Sequence, residues 1–563
     1  MTDLERRFSQ EIRSLRDEGA EFAKSFPEAA RWLDPSHTDN DDPYVERLIE
    51  GCAFLTARIR EESQDDLLCT QLLEQFAPGI SQPLPSVAVV QFALRPEAAR
   101  PVHLPLSTPI ASEPCEGVSA PFEYRLHQSV FVDWAEVSDA QIEIDELHRG
   151  HMILSLHWAD LDPVGAWPNG LPIFLHGDLP VVWSVRHALL RRVSKIEVEM
   201  DGAWHPAPNV EFQRLDGTCY TSESDLASPL AAARDFLCAD ERFRFVRLAG
   251  LDTTRIQRPQ PLRLRIGFQG NVPVSWRRSV GKDLFRLHAA IAVNRFREFC
   301  EPVDLDHTRE CYPLRPVGGG QREVLEVASV RSASSPGIPA RTYTRYDAHR
   351  HHGGGWFYQV VGPGTESGKR ISIAVGTSDI HAQSVEECLS VEAICCDGAH
   401  PHERLRPESM NRIRSESSEL LQVEAITRPT RIYRPVEGSI HSRLLAFARA
   451  HQEGWLDAQR LKDGLRQVLW DPAEAKLNLI ESIQDVAVGH GFKLVNGVGW
   501  RTMRVQIRLR DTTCTPETWD RLGLIDAFGS ILWGIVQDEI PIGSKGELEL
   551  LVDPAGVRMS WEG

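Results

Sequence analysis

The chain has 563 residues, 42% of them hydrophobic and 25% charged, with 36 prolines and 40 glycines. It is too long for one hydrophobic core, so about two to four domains are expected, and its composition is that of a folded globular protein and not a disordered or fibrous one. A formal charge of -18 argues against nucleic-acid binding, which needs a cationic track to displace counterions.

Half of that excess lies at the start: residues 1–80 carry 18 acidic against 9 basic side chains. Such a face is expected to be solvated or to meet a basic protein partner. The opening MTDLERRF lacks the apolar core of a signal peptide, and no apolar run approaches the ~18 residues that would span a membrane, so the expectation is a cytoplasmic protein without direct membrane insertion. Eleven cysteines, an odd number over a long chain, are expected to be reduced and mostly buried thiols, not a disulfide framework.

Leu4, Phe8, Ile12, Leu15 and Phe22 recur as one face of a first amphipathic helix. After the acidic loop Asp34–Asp42 a second helix is well specified, with Asp42 as cap, Pro43 at the first position and Glu46 facing the positive end of the dipole. Val45, Leu48, Ile49, Cys52, Leu55 and Ile59 form its apolar stripe, whose burial contributes about 10 kcal/mol before ordering entropy is subtracted. A third helix carries Leu68, Leu72 and Phe76. These helices make a domain over 1–82 that is marginal alone and gains from packing against another subunit.

Pro78, Gly79, Pro83 and Pro85 end the helical region, and Val87 to Phe92 reads as a strand apolar on both faces. From there to 315 the dominant period is two. Met152 to Trp158, Ile196 to Met200 and Leu262 to Phe268 read as half-exposed strands, separated by Pro and Gly clusters and a short helix at Pro229–Leu237, which favours a sandwich or barrel-like region over a doubly wound sheet. A second β-rich region over 316–430 contains ISIAV and LSVEAI. The region 431–563 is mixed. Helices are expected around 439–451 and 457–470 and strands near 478–486 and 503–510. A long helix from Pro516 with Thr515 as cap follows, its buried face marked by Trp519, Leu522, Ile525, Phe528 and Ile535; a closing strand pair ends the chain. The expected fold class is therefore α+β multidomain: an N-terminal helical bundle segment, central β-rich domains and a C-terminal mixed α/β domain.

Motifs for chemistry are weak. GPGTESGKR at 362–370 fails as a phosphate loop, because Gly364 is too close to Gly368, Pro363 stands where glycine is needed and Arg370 replaces the magnesium-binding Ser or Thr. His349, His351 and His352 could approach one another, but a glycine run beside them marks a loop and no further ligand stands at a diagnostic offset. No nucleophile elbow or zinc helix is present, and Asp65 with Asp66 reads as a solvated helix edge.

Several segments of fixed order carry a more specific signal: Leu15 to Ala23 (LRDEGAEFA), Asp42 to Arg58 (DPYVERLIEGCAFLTAR) and the strand entry Pro83 to Ser86. In this wording the chain resembles the TssF family, also called ImpG or VasA, of type VI secretion baseplates. The likeness continues more weakly through 104–112, 242–251 and 283–306, where His288 stands in place of the family's usual asparagine. The resemblance implies a structural, non-enzymatic subunit similar in plan to phage baseplate wedge proteins, with no cofactor. It further implies two copies paired with one TssG-like chain, association with TssK-like and VgrG-like proteins, and a baseplate docked at an inner-membrane complex. In that reading the stripes at 4–22 and 45–59 supply an inter-subunit bundle. A wedge subunit of a phage-tail-like contractile injection particle, and a cytoplasmic enzyme with an unrecognised site, remain as alternatives.

Overall fold

Val87–Leu94 is a strand because its first four residues are Val, Ala, Val and Val, all buried, in a run rich in β-branched side chains that cannot expose either face cheaply. In the computed structural model its even-numbered residues Ala88, Val90 and Phe92 enter one core with Phe122, Tyr124 and Met410. Val87 and Val89 enter another with Phe174, Phe245 and Trp470. One strand therefore holds two cores together.

The structure describes residues 79–563 except 99, 116–119, 145–148, 158–169, 216–218, 222–227, 252–260, 307–310, 320–321, 333–339, 347–354, 362–370, 378–386, 415–417, 437–439, 472 and 496–497; before 79 it describes only 8, 9, 12, 47, 50–55, 69, 72, 73 and 77. The chain divides into two compact units, Met1–Leu72 and Leu73–Gly563. In the first unit the described residues from 8 to 72 are all helical.

The second unit is a mixed α+β assembly. Val87–Leu94 lies inside a six-stranded sheet, between Ala289–Val293 and Leu421–Ala425, so the sheet draws strands from either side of residue 315. A five-stranded sheet has Leu262–Asn271 at its centre, between Val193–Met200 and Arg149–His157. A four-stranded sheet centres on Phe245–Ala249 and Leu171–Leu175, and an eight-stranded one on Glu387–Cys396 and Glu323–Ser332. Asn294, between the first sheet and the last, exchanges two 2.7 Å hydrogen bonds with Asp397, one donated by its amide and one received from the Asp397 backbone.

Helix α1 (Leu179–His187) continues into a π-turn, Ala188–Arg192. Helix α2 (Pro229–Cys238) starts where expected, with Ser228 as a side-chain cap and Pro229 first. Helices α3 (Ile440–Glu453), α4 (Ala458–Val468) and α5 (Glu474–Glu481) follow. The C-terminal sheet runs Ile483–Val495, Val498–Arg510, Ser544–Asp553, Val557–Glu562; its two middle strands are parallel and are joined by α6 (Trp519–Glu539).

Four expectations are corrected. Arg149–His157 is not half-exposed: Met152 to Leu156 are all buried, because neighbouring strands flank them and both sheet faces are covered. Residues 478–481 belong to α5, and the strand placed at 478–486 starts at Ile483. The two strands of that pair are 13 residues each and reach much further than their most apolar segments. Helix α6 begins at Trp519 with Thr518 before it, not at Pro516. Thr515 and Thr518 instead close a turn, the Thr515 N–H donating to Thr518 Oγ1 at 2.8 Å and the Thr518 N–H to the Thr515 carbonyl at 3.1 Å.

Candidate interaction surfaces

Of the N-terminal stripe residues, Phe8 and Ile12 are helical and half-buried, while Cys52 and Leu55 are helical and exposed, Leu55 by 59%. Phe54 is 44% exposed and Ala53, off the expected stripe, is fully buried. Leu4, Leu15, Phe22, Val45, Leu48, Ile49 and Ile59 lie outside the described residues. At the two described positions of the second helix, the apolar stripe thus faces outward on the single chain.

The C-terminal fold is positioned by Asp526, fully buried on α6. Its carboxylate accepts from Arg186 Nη1 on α1 at 3.0 Å, from Arg191 Nε on the π-turn at 2.7 Å and from Arg214 Nη2 on strand Glu211–Arg214 at 2.6 Å. Burial alone would raise its pKa, but Arg214, Arg186 and Arg191 outweigh that and hold it down at about 2. Arg191 also stacks on Trp561, 4.6 Å from the ring centre, and donates to the Ser560 carbonyl. Gly523 and Gly529 let α6 sit this close: a Cβ at 523 would meet the Trp183 carbonyl oxygen at 2.0 Å, and one at 529 the Trp561 ring at 2.2 Å. The arrangement clamps α6; every formal charge in it has a partner of opposite sign.

Reactive chemistry finds little support among the described residues. A cavity of about 560 Å³ beside this cage is lined by Arg214, Arg242, Phe243, Trp533, Gln537 and Trp561 among others. Its Ser530 hydroxyl donates to the Asp526 carbonyl at 3.1 Å, not to a general base. Burial pushes the Cys396 thiol up to about 12 and Cys219 to about 11, so both are thiols, the less nucleophilic form. No cysteine is disulfide-bonded and no group of three metal-ligating side chains occurs among the described residues. His349, His351, His352 and the 362–370 segment lie outside them. No described helix is long and apolar enough to cross a membrane.

The sequence expectation near 478–486 catches only the first residues of the outer strand of the C-terminal sheet, which runs on to Val495. Among the described residues, Ile483–Val495 pairs on one side only, with Val498–Arg510. Its register sets Val486, Val488 and His490 beside Ile507, Val505 and Met503, which are buried. Val486, Val488, Phe492 and Leu494 therefore share the face that α6 covers further inside the sheet. Beyond the helix the last three are uncovered, Val488 being 40% exposed, Phe492 81% and Leu494 78%.

Comparison with known proteins places these features in a family. The family model described as type VI secretion system, TssF, matches residues 1–561. The chain is 42% identical over 92 residues to the type VI secretion system component TssF1 of Pseudomonas aeruginosa, a match spanning 16% of this chain and 14% of that relative. Its fold is similar to a chain of the TssK–TssF–TssG baseplate subcomplex revealed by cryo-electron microscopy. There the TM-score is 0.76 at 19% identity, over 92% of this chain and 98% of that one. It is also similar to a chain of the baseplate complex from the type VI secretion system, with a TM-score of 0.66 at 20% identity over 99% of each.

Proposed function

The chain belongs to the TssF family of the type VI secretion system, and on that premise we propose that it is a structural component of a baseplate, assembled with TssG-like and TssK-like chains and doing no chemistry of its own. The observation that carries this reading is the extent of the likeness: the family model matches residues 1–561, and the fold follows a baseplate-complex chain over 92% of its length.

In this reading two copies pair with one TssG-like chain, and the wedges so formed surround a VgrG-like spike in a baseplate docked at the inner membrane. The mechanism is mechanical. A ring of wedges holds the sheath extended, and a change in wedge contacts releases contraction. Such assemblies rest on large permanent interfaces, typically above about 2,000 Å². The N-terminal helices supply one of them, and the outward-facing Cys52 and Leu55 support that role.

The test is co-expression with the TssG-like chain. The double substitution Leu48→Glu, Leu55→Glu places two charges on the stripe and is expected to abolish copurification while the chain stays soluble and folded by circular dichroism. Undiminished copurification of a folded double variant would remove the bundle from the proposal.

A further inference from the structure

We propose that the outer strand of the C-terminal sheet, Ile483–Val495, is a docking edge for a second copy of this chain, which adds its own Ile483–Val495 antiparallel about a two-fold axis at Gly489.

Three observations carry this. The strand is open: among the described residues it pairs with Val498–Arg510 alone, and from Asp485 to Leu494 every described side chain except half-buried Val486 is exposed. Free sheet edges are ordinarily guarded by proline, by several lysines or by a covering element. Here only a register shift at Ile483/Asp485 and Lys493 stand guard, while Phe492 and Leu494 are left 81% and 78% exposed. An uncovered apolar edge of this length is an aggregation hazard unless a specific strand occupies it.

The strand is also complementary to itself. Pairing about Gly489 sets Asp485 opposite Lys493 on both sides of the axis, and Val486 opposite Phe492, an aromatic against a β-branched residue. Shifting the centre by one or two residues in either direction separates Asp485 from Lys493. The pairing keeps even residues opposite even and odd opposite odd, so the alternate N–H and C=O groups turned outward on one copy meet the same set on the other. The axis, moreover, falls at a residue that lets two backbones approach: Gly489 has only the Arg504 carbonyl oxygen near its missing Cβ, at 3.9 Å. The result is one continuous eight-stranded sheet across two copies, with the apolar stripe of each beside the other's. An interface of this kind is isologous, as two-fold contacts must be.

The proposal does not depend on the TssG-like or TssK-like partners, and its test keeps the two readings apart. In the full chain, Gly489→Cys is expected to give a covalent dimer on mild oxidation, because the two copies of residue 489 face each other. Gly491→Cys, which faces Ala487, is expected to cross-link no more than the native chain. By sedimentation, Asp485→Lys and Lys493→Asp are each expected to weaken self-association at least tenfold, and an equimolar mixture of the two to restore it, since both cross-strand pairs then become Lys–Asp. Equal cross-linking at 489 and 491, or a mixture no better than its components, overturns the proposal, including the case in which a strand of a different protein occupies the edge. Copurification with a TssG-like chain, measured on the same variants, is expected to be unchanged; its loss in the native chain would count against the baseplate reading instead.

Discussion

Arg186 on α1 donates to Asp526 on α6 at 3.0 Å, across 340 residues of sequence, with the two side chains only 3% and 0% exposed. The bond fixes α6 against α1. Arg191 and Arg214 close on the same carboxylate, so a single acid answers for three cations. Removing it leaves guanidinium charge buried without compensation. Asp526→Asn is expected to destabilise the chain by about 3–5 kcal/mol, read as a lower midpoint in urea or heat.

Acid should release part of the same clamp. The folded Asp526 carboxyl sits at about 2 against an ordinary 3.8, so its contribution is complete above the unfolded value and is lost as pH falls from roughly 4 toward 2. That contribution is about 2 kcal/mol. Urea titrations of Asp526→Asn are expected to lack this segment of the pH dependence.

His187 adds a second window at milder pH. Burial lowers its imidazole to about 4; Asp526 opposes the shift and Arg192, Arg191 and Arg186 reinforce it. Arg192 Nε donates to His187 Nε2 at 3.3 Å, a bond only the neutral ring accepts. The folded state therefore resists a proton that the unfolded chain takes up near 6.5, and stability falls as pH drops from 6.5 to 4. The loss is expected to be roughly 3 kcal/mol, and His187→Gln is expected to flatten that part of the curve.

Gly523→Ala tests the closeness of α6 to α1. The added methyl would meet the backbone carbonyl of Trp183 at 2.0 Å, and backbone does not move aside as a flexible side chain does. The expected cost is about 1–3 kcal/mol or more, seen as a lower melting temperature. An exposed glycine such as Gly499, with nothing near its missing Cβ, is expected to accept alanine with little change.

His288 has a left-handed backbone, φ 54°, a region in which asparagine is among the tolerated residues. Its ring also lies 2.8 Å from Asp133 Oδ1. The first requirement is one that asparagine meets as well. His288→Asn is expected to stay within about 1 kcal/mol of the native chain, whereas His288→Ala, which meets neither requirement, is expected to cost about 1–3 kcal/mol by denaturant titration.

What the sequence made legible was local or repetitive. Val87 to Phe92, the helix start at Pro229 and the apolar positions of α6 are each written in a few neighbouring residues. The N-terminal wording led directly to the family. The Asp526 cage was not legible, since Arg186, Arg191 and Arg214 stand more than 300 positions away from it and nothing near Asp526 marks a buried carboxylate. The outer hairpin was half-read. Gly489, Gly491 and Gly499 interrupt the period-two pattern and lower strand propensity, so the pattern marks the strands only at their apolar ends. A signal was present: Asn496-Gly497 is the dipeptide most favoured between two-residue hairpin strands. At the start of α6, Thr515-Pro516 reads as a helix entry on its own, while the pairing of Thr515 with Thr518 makes it a turn.

Membership of a baseplate is read most directly by mass spectrometry of the complex that copurifies with this chain under gentle extraction from its own cells. The expected result is recovery with TssG-like and TssK-like chains, at about two copies of this chain for each TssG-like one. Recovery as a lone monomer, with neither partner at any salt concentration, would contradict it.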